Sequence, residues 1–187
     1  MHVPTHILSG WVVSNAFPLR PRERLCCMIA ATFPDLDGIG ILFGQDAYQR
    51  WHHVACHSVP FGSMACAALA VTAPRGAKRR WPIGVLFLAL FHLHLVMDYF
   101  GSGPGWPIVY FWPFSNFRLV NWQAWELNSW QNTLSAAVLL AATVGIAVRL
   151  RRTPLELLMP SLDAQLVRKP SPAKSAEFLA DIRSRRR

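Results

Sequence analysis

Trp81-Pro82-Ile83-Gly84-Val85-Leu86-Phe87-Leu88-Ala89-Leu90-Phe91-His92-Leu93-His94-Leu95-Val96-Met97-Asp98-Tyr99 is the stretch that decides the fold. As an α-helix it is long enough to cross a bilayer, which takes about 20 residues. Its second half nevertheless carries two histidines and an aspartate. Ionisable groups in such a segment cost free energy unless they are paired, hydrated or bound to a metal, so they mark function by default. His94 and Asp98 are four residues apart and lie one above the other on a single helix face. An imidazole and a carboxylate so placed make half of a metal site. His92 lies about 200° around the helix from His94, so it reads as a supporting or packing residue.

The rest of the chain agrees with a membrane setting. Its 187 residues suit one domain. The composition is 52% hydrophobic and 16% charged, against a usual charged share of about 25%, and the mean hydropathy is +0.24. The net charge of +9 does not signal nucleic acid, because ten of the nineteen Lys and Arg fall in residues 149–187, after the last apolar run. Basic residues gathered in short loops and a tail are the positive-inside pattern. The expected partner is the lipid bilayer, with no nucleic acid. Cys26, Cys27, Cys56 and Cys66 form no CxxC and read as buried thiols without a disulfide framework. Cys56, beside His57, ranks as a packing residue ahead of a metal ligand. Met1-His2-Val3-Pro4-Thr5-His6 has no basic n-region, so no cleavable signal peptide is expected, and His2 reads as terminus.

In order, the chain predicts a short helix over 5–17, from a cap at Thr5 to Pro18, and a second over 25–33, stopped by Pro34. Residues 38–51, with Gly38, Gly40 and Gly44, read as a loop or a broken helix. Apolar segments follow at 59–73, 81–99 and 134–148, separated by a loop over 101–130 rich in Gly, Pro and Trp. The expected fold is all-α: an integral membrane bundle of about four to five apolar helices, some short or re-entrant because 5–17, 25–33 and 59–73 fall short of a span. Residues 1–152 make the membrane-embedded domain. Residues 153–187 are expected to be a basic, largely disordered tail with a weak helix near 176–182.

Two independent patterns then coincide. Placing the basic turns 20–24, 75–80 and 149–152 on the cytoplasmic side leaves only Arg50 and Arg118 outside. The same arrangement gathers His6, Asp35, Asp37, His52, His53, His57, His94 and Asp98 at the opposite, extracytoplasmic ends, with Trp106, Trp112, Trp122, Trp125 and Trp130 as an aromatic belt. The C-terminus is then cytoplasmic. Taken singly, most of these residues are turn, helix-end or interface residues. Taken together, they favour a metal site. Imidazoles with carboxylates suit zinc, with manganese or iron as alternatives, and allow one or two ions. Such ions activate water and polarise a phosphoryl or carbonyl oxygen. The expected activity is metal-dependent hydrolysis of an ester or phosphoester, of a lipid or lipid-linked substrate, with Asp35 or Asp37 orienting or deprotonating the water. The rival is a non-catalytic membrane protein with a structural or ion-handling metal site. The absence of ionisable residues in the middle of 81–91 and of 134–148 counts against transport.

These motifs resemble the predicted membrane-bound metal-dependent hydrolases of bacterial inner membranes, a group partly under LexA control. The carriers are Thr5-His6 with Gly10; Pro34-Asp35-Leu36-Asp37; His52 and His57-Ser58; His94-Leu95-Val96-Met97-Asp98; then Gly105 and Trp112-Pro113-Phe114. The chain differs from the family pattern at His53-Val54, where Arg-Gly is usual, and at Cys56, where Thr is usual. A more distant similarity is to zinc-dependent phospholipase C. By motif it implies His6, Asp35, His57, His94 and Asp98 as ligands, with Asp98 able to bridge two ions. That family's later His-x-x-x-Glu pair is absent, since no histidine follows His94, so the resemblance implies one or two ions rather than three. His52 enters the expected ligand set from the first family, with His52 against His53 left open.

Overall fold

Pro4, Pro21, Pro34, Pro60 and Pro160 each stand in the first turn of a helical segment. There proline's missing N–H needs no partner, and its ring presets the helical φ. The computed structural model describes residues 1–73 and 77–167. Within them α1 spans Val3–Ser14, α2 Pro21–Thr32, α3 Gln45–Trp51, α4 Val59–Thr72, α5 Ala77–Gly101, α6 Trp130–Leu150 and α7 Pro160–Leu166. The 3₁₀ segment, Phe33–Phe43, continues α2, and a short antiparallel hairpin of β1 (Ile108–Val109) and β2 (Arg118–Leu119) interrupts the loop before α6. The chain is an all-α membrane bundle.

The second helix stops before Pro34 as expected, at Thr32, but helical structure continues as the 3₁₀ segment, whose first turn tolerates proline's missing donor. Two starts move: α1 begins at Val3 with His2, not Thr5, at its N-cap, and α2 begins at Pro21 rather than 25, because Pro4 and Pro21 each fit a first turn. α2 and that segment together make Pro21–Phe43, 23 residues long and apolar enough to cross a membrane, beside Lys78–Gly101 and Trp130–Leu150. The stretch 38–51 is the broken helix: 3₁₀ to Phe43, a break at Gly44 with φ +105°, then α3. α1, at 12 residues, and α4, at 14, remain short of a span.

The bundle is built around α2 and α5, with α1 laid on α2, α4 on α5 and α6 on α1. Cys27, Ala30 and Ala31 of α2 meet Phe87, Leu90 and Phe91 of α5 in the core. α1 approaches α2 closely at Gly10, where a Cβ would stand 2.8 Å from the Cys27 carbonyl oxygen and 2.9 Å from the Met28 Cα. Small residues at such a contact let backbones gain dispersion energy, the main attraction left between helices in lipid. α6 exposes Leu134, Val138, Leu140, Val144 and Val148, as a lipid-facing helix does.

Each end of the bundle is tied by polar contacts. At the basic end, Glu23 accepts from the Arg20 N–H at 2.8 Å and from Arg79 at 3.1 Å. Arg24 makes a two-pronged pair with Glu156, at 2.6 and 2.7 Å. The tail expected from Thr153 therefore begins with a contact to α2, and α7 follows; the weak helix expected at 176–182 and everything after residue 167 lie outside the described residues, as does Arg75. At the other end, the buried Asn132 side chain donates to the Gly101 and Leu127 carbonyls at 2.8 and 3.0 Å and accepts from Trp125 Nε1 at 2.9 Å. That hub fixes the end of α5 to the start of α6.

The substitution Gly10→Val should wedge α1 from α2. Overpacking of this kind costs about 1–3 kcal/mol, so thermal unfolding of the detergent-solubilised protein should shift downward; an unchanged transition would mean that the two helices do not depend on contact at Gly10.

Candidate metal centre

Four parts of the chain deliver the polar groups. His6 comes from α1, Asp35 and Asp37 from the 3₁₀ segment, His52, His53 and His57 from the loop between α3 and α4, and His94 with Asp98 from α5. Asp98 is the focus. Its Oδ2 lies 2.9 Å from His94 Nε2, 3.2 Å from His57 Nε2 and 3.4 Å from His53 Nε2, and its Oδ1 lies 3.1 Å from His6 Nε2. The Met1 amino group also rests on Oδ1, within 3.0 Å of Ser102 Oγ. The His6 ring stacks on His94 with centroids 3.7 Å apart. His6, His53, His57, His94 and Asp98 are all buried.

A second tier of contacts aims these rings. His94 Nδ1–H donates to the Ala31 carbonyl at 2.7 Å. A carbonyl only accepts, so in the neutral ring the proton sits on Nδ1 and Nε2 presents its lone pair to the cluster. His57 Nδ1 faces Asp37 Oδ2 at 3.0 Å, and His57 Nε2 lies 3.2 Å from His94 Nε2. Asp37 also holds His52 Nδ1 at 2.7 Å and accepts from the Val54 N–H at 3.2 Å. This carboxylate therefore fixes the whole loop. His53 sits at φ +66°, in a region costly for a residue with a Cβ, by about 1–3 kcal/mol. Its carbonyl accepts from the Val109 N–H of β1 at 3.0 Å, which helps hold the conformation. As a result the two consecutive rings part: His53 turns in to Asp98, and His52 turns to Asp37 and stacks on Tyr48 at 4.6 Å.

The residues expected from sequence thus gather in two adjoining groups. One ligand atom each from His6, Asp35, His94 and Asp98 lies within 4.8 Å of the others, and so does one each from His52, His53 and His57. Asp35 stands at the edge, Oδ1 3.8 Å from His94 Nε2, with Oδ2 lacking a partner. Sequence reasoning left His53 open against His52 because the backbone twist that separates them carries no sequence signature outside glycine. It assigned Trp106 to an aromatic belt, whereas its ring centroid lies 5.7 Å from that of His53 and 6.1 Å from that of His52. His92 stays apart: its Nδ1–H donates to the Leu88 carbonyl at 2.8 Å, and Tyr110 donates to its Nε2 at 3.0 Å. Cys56 belongs to neither group. Burial, aided by Asp37, pushes its thiol up to about 11, so it stays protonated at neutral pH.

The loop histidines are driven in opposite directions. Burial, reinforced by the neighbouring His57, pushes His53 down to about 3. For His57 burial also works against the cation, but its bonds to Asp37 and Asp98 outweigh burial and raise it to about 9. Imidazole nitrogens therefore face one another and a carboxylate, while His6 Nδ1, His53 Nδ1 and Asp35 Oδ2 are buried without partners. Nitrogen and oxygen donors converging without thiolate fit a divalent ion such as zinc, manganese or iron.

A cation taking Nε2 of His57 must displace the proton held there below pH about 9. Zinc uptake should therefore release protons, and apparent affinity should rise between pH 7 and 9. Calorimetry in buffers of different ionisation enthalpy measures this; an affinity flat over that range would contradict it.

The family described as YdjM inner membrane protein matches residues 1–162. No curated protein and no solved structure gives a significant match.

Proposed function

We propose, for a chain that belongs to the YdjM inner membrane protein family, a membrane-bound metal-dependent hydrolase acting on an ester or phosphoester. One observation carries this reading: a buried carboxylate, Asp98, faces four imidazole nitrogens within 3.4 Å. Imidazole nitrogens gathered with a carboxylate are the donor set that zinc and similar divalent cations take. The motif resemblance to zinc-dependent phospholipase C, incomplete because no histidine follows His94, points the same way.

His6, His94 and Asp98 would hold one ion, and Asp35 stands at the edge of that group. His52, His53 and His57 would hold a second, and Asp98 lies between the two groups. Zinc, manganese or iron at such a site supplies Lewis-acid chemistry, activating water and polarising a phosphoryl or carbonyl oxygen. The chain's own carboxylates divide the remaining work. Asp35 keeps an oxygen free of partners and is the group suited to accept the proton of the attacking water. Asp37 has both oxygens committed to His52, His57 and the Val54 N–H, so it is a positioning residue that orients imidazoles, as carboxylates behind metal ligands commonly do.

The basic turns meet at one end of the bundle, through Glu23, Arg79, Arg24 and Glu156, and the histidines lie at the other. By the positive-inside rule this supports a multi-pass protein with the site on the extracytoplasmic face and the C-terminus in the cytoplasm. A lipid or lipid-linked substrate would reach the site from the bilayer. A second reading, a structural metal staple, is favoured by the full enclosure of His6, His57 and His94, since structural sites are closed. Against it, the side chains of Asp35 and His52 keep 10% and 13% of their surface exposed.

Asp35→Asn separates the two. For the hydrolase, turnover of a chromogenic phosphodiester should fall about 10²–10⁴-fold, with metal content and melting temperature kept. A staple predicts a lower melting temperature instead. Asp37→Asn should lose metal. A purified protein with no stoichiometric transition metal would overturn the proposal. For the topology, a C-terminal fusion to green fluorescent protein should fluoresce, and one to alkaline phosphatase should be inactive; the reverse would invert the assigned sides.

A further inference from the structure

Arg50 and Arg118 break the positive-inside pattern, and the fold brings them to one place. Both line a cavity of about 440 Å³ together with Gln49, His52, Gly105 and Trp106. Arg50 lies on α3, two residues before His52. Arg118 lies on β2, opposite Val109 of β1, and the Val109 N–H is bonded to the His53 carbonyl. Each arginine is thus attached through the backbone to the loop that carries the histidines. Gly105 takes φ +75° and leaves no room for a Cβ against Trp122, which shapes that side of the cavity. The inner wall is His52, whose ring centroid stands 4.6 Å from that of His53 and 5.4 Å from that of His57.

The two guanidinium groups differ from those at the basic end. Arg24 and Arg79 are paired with Glu156 and Glu23, whereas neither Arg50 nor Arg118 has an acidic partner among the described residues. Arg50 makes only a long contact, Nε to the Asp46 carbonyl at 3.4 Å. Two unneutralised planar forks, each with five N–H donors, exceed what one carboxylate can accept and suit the several oxygens of a phosphate.

We infer that this cavity holds the phosphate group of the substrate through Arg50 and Arg118, beside the histidine cluster. The inference rests on the hydrolase reading and narrows its substrates to phosphoesters. The phosphate belongs either to a phospholipid headgroup or to a soluble phosphoester.

The test is calorimetric titration of the metal-loaded full chain in detergent with three probes: inorganic phosphate, glycerol 3-phosphate and dihexanoyl phosphatidic acid. Arg50→Ala and Arg118→Ala should each weaken binding at least tenfold, with metal content and melting temperature unchanged, and Arg118→Lys should recover part of the loss. Equal binding of the soluble and lipid probes supports recognition of the phosphate alone; binding of the lipid probe only supports a headgroup that enters from the bilayer. Failure of the wild type to bind any probe, or binding indifferent to both arginines, overturns the inference. A purified wild type that takes up no stoichiometric transition metal yet binds phosphate through the two arginines would sink the hydrolase and keep the cavity. A metal-loaded protein whose affinity ignores them would do the opposite.

Discussion

A carboxylate buried in an apolar helix bundle is the constraint on which the rest depends. Removing Asp98 from water is costly unless opposite charge and hydrogen bonds replace its hydration, and the chain supplies four imidazoles to do so. Each imidazole imposes a local demand. His6 reaches Asp98 because α1 is drawn close to α2 at Gly10. His57 is aimed by Asp37, His94 by the Ala31 carbonyl, and His53 by a backbone twist that costs energy elsewhere in the loop. The glycine, the second carboxylate and the twisted loop are therefore consequences of one buried charge.

The polar chemistry is confined to the ends of the bundle, with an apolar middle of alanines, cysteines and phenylalanines between them. At one end the charged groups neutralise one another: Glu23 with Arg79, Arg24 with Glu156. At the other, four imidazoles converge on one carboxylate. Pairing suits anchorage and convergence suits binding, so the two ends differ in what their charges are free to do.

Much of this was legible in the chain, and the parts that were not share a cause. The long apolar runs, the i,i+4 pair His94 and Asp98, and the basic turns follow from period, length and residue type, which sequence displays directly. The helical structure beyond Pro34 was not legible, because proline ends a preceding helix and opens a following one with equal ease; here the α-helix stops at Thr32 and a 3₁₀ segment takes over. His52 and His53 could not be separated, since one dihedral angle decides which ring faces Asp98. Asp35 and Asp37 likewise are told apart by their partners: a free oxygen in one, fully occupied oxygens in the other. The meeting of Arg50 with Arg118 depends on a two-residue hairpin too short for any periodicity to announce.

The spacing of the partners along the chain has a consequence for biosynthesis. His6 and Asp98 are 92 positions apart, and His57 and Asp98 are 41 apart. As the protein is made, His6, His53 and His57 emerge before Asp98 exists. Until α5 is inserted, these imidazoles lack the carboxylate on which they converge and are best served by the aqueous boundary. The last turns of α5 therefore complete the cluster, since Asp98 is the group that the earlier histidines share.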